Sequence, residues 1–127
     1  MLNSVILIGR LVEKPVLKVY EGEYMVSTVT LAVARPFKNS QGEFDTDFIR
    51  VVLWDAIAKN ACEYCLKGDI VAIRARLQSK YSEVSFNHES GEVLKKKINT
   101  LEVVGERVVY IASSSYKQNE KANIEES

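Results

Sequence analysis

The sequence is poor in the residues on which most catalytic and most secreted proteins depend. It has a single histidine, His88, and two cysteines, Cys62 and Cys65, in 127 residues. One histidine in a polar stretch supplies no histidine cluster and no base beside a nucleophile, so no catalytic constellation is expected. A zinc site would need two ligands beyond the cysteine pair. A redox CxxC opens a helix beside a strand, whereas "ACEYCLKG" lies inside a helical pattern, so the thiols are expected to be buried and structural. No metal and no cofactor is expected. Two cysteines also make no disulfide framework, which favours the cytoplasm. Net charge is absent: 17 basic and 17 acidic residues sum to zero, so only the local arrangement of charge can point to a partner. The apolar run near the start, Val5 to Ile8, is too short for a signal-peptide core or a bilayer span, and no membrane partner is expected.

What is present is hydrophobic alternation. With 46% hydrophobic residues the chain can build one core, and it reads as a domain over 1–112 followed by a disordered tail over 113–127. "SVILIGRL" is β-rich and apolar on both faces, as in a strand covered on both sides. "KVYEGEYMVSTVTLAVARPF" contains a Glu-Gly turn at 21–22 and then alternates: Val29, Leu31 and Val33 on one face, Thr28, Thr30, Ala32 and Ala34 on the other. "KNSQGEFDTD" reads as a polar hairpin loop; its Glu43, Asp45 and Asp47 lack the further oxygen donors a cation needs. "FIRVVLW" alternates again, with Ile49, Val51 and Leu53 against Phe48, Arg50, Val52 and Trp54. A helix follows from Asp55, a fitting N-cap, through Leu66, with Lys67 and Gly68 as its cationic end and C-cap. "IVAIRARLQSKY" sets Val71, Ile73, Ala75 and Leu77 opposite Ala72, Arg74, Arg76, Gln78 and Lys80. Residues 81–92 read as a long hairpin tip. "VLKKKINTLEVVGERVVYIA" closes the domain, with a bulge or turn expected at Gly105.

Five strands with one helix between the third and fourth is the layout of an OB-fold, an all-β five-stranded Greek-key barrel. Its usual ligand surface is the face of its second and third strands with the adjoining loops. On that face Thr30, Ala32 and Ala34 are small, while Phe48, Arg50 and Trp54 put rings and a guanidinium where water would be. Arg74, Arg76 and Lys80 belong to the next strand. Arg35, Phe37 and Lys38 lie at one end, and Tyr81 with Lys95, Lys96 and Lys97 at the other. Unpaired bases favour flat apolar partners, and their phosphates need cations alongside. Arginine adds stacking and forked phosphate contacts that lysine cannot match. Each residue alone has an ordinary alternative: Trp54 as a cap on the core, Phe48 as a hairpin plug, the lysine triplet and the arginines as a solvated surface. Their coincidence on one face points to a single nucleic-acid strand. A protein-interaction or replication-restart accessory module, or a single-stranded RNA binder, is the competing reading.

"VILIGRL", "VSTVTLAVARPFKNSQGE", "DFIRVVLW", "ACEYCLKG" and "LQSKY" in order resemble the bacterial single-stranded DNA-binding protein family, from residue 1 to 81 and more weakly to 112. The resemblance implies a homotetramer, or a homodimer, that coats single-stranded DNA in replication, recombination and repair. It implies stacking by Phe37, Phe48, Trp54 and Tyr81 and backbone contacts by Arg10, Arg35, Arg50, Arg74, Arg76 and Lys80. Tyr81 enters only through the resemblance, because its parity on a flat strand opposes Arg76 and Lys80; a bend or bulge after Ser79 would reconcile them. The chain ends "KANIEES" where the family has an acidic tip closing in Pro-Phe, so recruitment of repair and replication enzymes through that tip is not expected. Short, tail-poor paralogues tied to DNA uptake, or carried by mobile elements, are the nearer likeness.

Overall fold

The computed structural model describes residues 1–114. Its elements are β1 (Val5–Leu11), β2 (Lys18–Tyr20), β3 (Tyr24–Lys38), β4 (Phe44–Trp54), α1 (Asp55–Tyr64), β5 (Ile70–Asn87) and β6 (Val93–Ala112). The strands form one sheet in the order β1-β5-β6-β4-β3-β2, and a further pairing of β1 with β3 closes five of them into a barrel. This is an OB-fold, with β2 added outside the barrel as an extra strand. Among the described residues no helix is long and apolar enough to cross a membrane.

The alternation sets the inside of the barrel. Val29 and Leu31 on β3, Val51 and Leu53 on β4, and Val71, Ile73 and Ala75 on β5 are buried in one cluster with Leu11. The helix closes the barrel end with Ala58 and Ala61, and Cys65 follows into the same core. Two glycines mark where the wall is too close for a side chain. A Cβ on Gly9 would stand 2.6 Å from the Ala32 carbonyl oxygen at the β1–β3 seam, and one on Gly105 would stand 2.5 Å from Leu53 Cδ2 inside the barrel. The bulge expected near Gly105 is present one residue on: Arg74 pairs with Arg107 and Ala75 with Gly105, leaving Glu106 unpaired between them.

Several sequence expectations need correction. Asp55 does not cap the helix. Trp54 occupies the N-cap without a side-chain hydrogen bond, while Asp55 takes a left-handed φ of 50° and its carboxylate accepts from the Met25 amide at 3.4 Å. The helix stops at Tyr64, so Cys65 and Leu66 lie beyond it. There the barrel itself offers partners: the Leu11 amide donates to the Asp69 carbonyl at 2.9 Å, Gly68 donates to the Leu11 carbonyl at 2.8 Å, and the Asp69 carboxylate accepts from the Leu66 and Ser114 amides at 2.8 and 3.1 Å. Both hairpins are tighter than their composition suggests. The first loop is only 39–43, held by the Asn39 side chain, which accepts from the Gln41 and Glu43 amides at 2.9 and 3.0 Å; the second tip is only 88–92, because β5 runs through Asn87. Polar side chains suit both faces of a hairpin arm that leaves the barrel, so 81–87 is strand despite its composition. The expected disordered tail, 113–127, lies outside the described residues from 115 on.

Candidate nucleic-acid interface

Register places the suspected residues on one surface. Across the β3–β4 ladder Thr28 faces Val52, Thr30 faces Arg50, Ala32 faces Phe48 and Ala34 faces Thr46, and partners in a ladder share a face. Arg50 and Phe48 are therefore each flanked by a small member of β3, which leaves the guanidinium and the ring standing free, while Trp54 pairs with Val26. Phe48 is 67% exposed, Trp54 44%, Phe37 60% and Tyr81 63%. Neither Trp54 nor Phe48 is a core plug. Lys80 joins this surface from β5: it lines a hollow of about 200 Å³ with Thr28, Arg50, Val52, Thr100 and Glu102. Among the described residues neither Arg50 nor Lys80 has a salt-bridge partner.

The other predicted cations are placed differently. Arg35 grips Asp47 in a fork, with Nη2 at 2.8 Å and Nε at 3.1 Å from its carboxylate, and lies 3.6 Å from Asp45. The hydrogen bonds from Arg35 hold the Asp47 carboxyl below the usual range; desolvation opposes them, and the charge of Arg35 adds a lesser pull in the same direction as the bonds. Arg10 donates to the Gly68 carbonyl at 3.0 Å and so ties β1 to the turn after the helix. Glu106, the bulged residue of β6, draws Arg74 and Arg76 to 3.9 and 3.8 Å. Arg74 is in register with Ile6 and Arg107, which puts it around the barrel from Arg50 rather than beside it.

The far ends are split as well. The β3–β4 ladder is irregular between Ala34 and Lys38, where Pro36 has no amide to give it; this throws Phe37 outward and brings Lys38 Nζ to 5.8 Å from the Phe44 ring. No register shift follows Ser79, so the bulge invoked to turn Tyr81 toward Lys80 does not exist. Tyr81 shares its hairpin face with Glu83, Lys95 and Lys97, while Lys96 lies on the opposite face with Lys80 and Val84. Lys97 Nζ stands 4.8 Å from the Tyr81 ring, and Lys95 reaches Glu83 at 4.0 Å. The lysine triplet is thus two cations on one side and one on the other.

Sequence reading missed Lys14, Lys18, Tyr20, Tyr24, Phe44 and Glu102. The first three line a hollow of about 570 Å³ together with Val26, Arg50, Trp54, Lys80 and Glu102. Only the Glu-Gly turn hints at them: Lys18-Val19-Tyr20 stands opposite Tyr24-Met25-Val26 across it, but all three β2 residues are exposed and leave no buried alternation to mark a strand. Among the described residues no group of histidine, cysteine, aspartate and glutamate side chains could hold a metal ion. Burial pushes the Cys65 thiol up, away from the thiolate that redox chemistry needs.

A family described as the single-strand binding protein family matches residues 2–111. Similar chains include single-stranded DNA-binding protein 3 of Listeria innocua, 38% identical over 94% of this chain and 68% of its own length. Single-stranded DNA-binding protein B of Bacillus subtilis is 40% identical over 72% of this chain and 77% of its own. The single-stranded DNA-binding protein of Halalkalibacterium halodurans is 33% identical over 98% and 70%.

Proposed function

Because the chain belongs to the single-strand binding protein family, we propose how it holds single-stranded DNA. The strand lies across the β3–β4 face, its bases stacked on Phe48 and Trp54 over the small residues Thr28, Thr30 and Ala32, with Arg50 and Lys80 on the phosphates. The observation that supports this most is the exposed rings standing on one ladder with Arg50, and Lys80 beside them across a shared hollow. Stacking needs only a π-face on each base, so binding is independent of sequence.

Phe37 and Lys38 extend the path at one end, beside Phe44. Tyr81, Lys95 and Lys97 are reached by a strand that wraps around the β5–β6 hairpin, whose other side carries Lys96. Arg10, Arg35, Arg74 and Arg76 have acceptors of their own within the fold, and their share in phosphate binding is smaller. The chain acts by binding and protection rather than by catalysis, in replication, recombination, repair or DNA uptake.

Assembly into a homotetramer, or a homodimer, has its support in β1. Val5 and Leu7 pack against the core, while Ile6 and Ile8 on the opposite face are exposed, as are Val109 and Ile111 on β6. Val109 and Ile8 both pair with Ala72, which makes the patch continuous, and a second subunit is its natural cover.

The binding mode is tested by substitution. Trp54→Ala is expected to weaken oligo-dT binding by about 1–3 kcal/mol, and Arg50→Ala to reduce the salt slope of the affinity by about one counterion. Folded variants with wild-type affinity and slope would place the strand elsewhere.

A further inference from the structure

Strand β2 has no structural reason of its own to exist. It is three residues long and all three are exposed, so it buries nothing in the core. It widens the sheet by one strand at the end of the face where Trp54 stands. Lys18 pairs with Val26, and Val26 pairs with Trp54, so the ammonium and the indole stand in one row across three strands. Tyr20 pairs with Tyr24 in the next row, two residues and about 6.6 Å further along. Lys18, Tyr20, Tyr24, Val26 and Trp54 share parity and therefore a face. Both tyrosines are about half exposed. Lys14 comes in from the β1–β2 connection to line the same hollow as Lys18, Tyr20 and Trp54, in which Glu13 and Glu102 are the acidic members. Among the described residues Lys14 and Lys18 have no salt-bridge partner.

We infer that the β2–β3 hairpin is a second landing for the DNA strand beyond Trp54, with Tyr20 and Tyr24 stacking bases and Lys14 and Lys18 bridging the phosphates that lead to them. The inference rests on the strand crossing the β3–β4 face as proposed above. It makes the hairpin, rather than the barrel wall, the end of the path on this side. The turn that forms it puts Glu21 and Gly22 at φ of 52° and 69°, which sets the hairpin tightly enough to present the two phenols together.

The test is a length series of oligo-dT read by quenching of Trp54, the sole tryptophan, in the wild type, the Tyr20→Ala/Tyr24→Ala double variant and Lys18→Ala. All three positions are exposed, so the variants should keep the wild-type circular dichroism. For oligomers long enough to pass Trp54, the tyrosine variant is expected to lose at least about fivefold in affinity, the low end for one stacked base, and Lys18→Ala about one unit of salt slope. The shortest bound oligomers should not distinguish the variants from the wild type. Equal affinity and slope at every length, with wild-type quenching intact, would overturn the hairpin landing alone. Failure of the wild type to bind or quench would overturn the face reading and the landing together.

Discussion

Among the arginines, partners decide what each guanidinium is free to do. Among the described residues Arg50 has no salt-bridge partner, whereas Arg35, fifteen positions earlier in the chain, is held by both oxygens of Asp47. That fork stabilises the ionised carboxylate in the folded chain, so the folded pKa of Asp47 is depressed. Its contribution to stability is present above the ordinary aspartate value near 4 and is lost as pH falls through the lower, folded value. Both groups are exposed, so solvent screening keeps the effect small. Asp47→Asn releases Arg35 toward a phosphate. The expected outcome is a steeper salt dependence of oligo-dT binding, by up to about one counterion, and a flatter melting profile below about pH 4. An unchanged slope would mean that Arg35 lies outside the DNA path even when free.

At the scale of elements, the seam between β1 and β3 closes the barrel, and it leaves no room for a side chain at Gly9. The Gly9 position faces a backbone oxygen, which cannot swing aside as a side chain can, so Gly9→Ala must part the strands. It is expected to lower stability by about 1–3 kcal/mol in urea unfolding, with no specific effect on the DNA face; wild-type stability would show that the seam relaxes freely. The barrel strands were legible in the sequence because parity alone sorts Val29, Leu31, Val51 and Leu53 from Thr28, Thr30, Phe48 and Arg50. Three things were not legible, each for a physical reason. Strand β2 buries nothing and so leaves no hydrophobic alternation to read. The arms of the β5–β6 hairpin beyond Lys80 are wet on both faces, and polar composition there reads as a tip. The fates of Arg74 and Arg76 depend on Glu106, some thirty residues away, which reaches them only because β6 bulges at that point. Tyr81 shows the same limit from the other side: its odd parity was legible, and the ladder keeps it.

For the whole molecule, two surfaces share one small barrel: the proposed DNA face of β3 and β4, and the apolar strip of Ile6, Ile8 and Val109 around the side. If the strip is covered by further subunits, the wild type should sediment as a tetramer or dimer, and Ile6→Glu should shift it toward monomer with its fold retained; a monomeric wild type would remove assembly from the proposal. The central claim is that a base lies on Trp54 with cations along its backbone, and one titration addresses it. Oligo-dT is added at two salt concentrations while tryptophan fluorescence is followed, with oligo-U alongside to compare the two sugars. Strong quenching, with affinity falling as salt rises, is the expected result. Unchanged fluorescence, together with unchanged polarisation of a labelled oligonucleotide, would contradict it and leave the ring and arginine face to a protein partner.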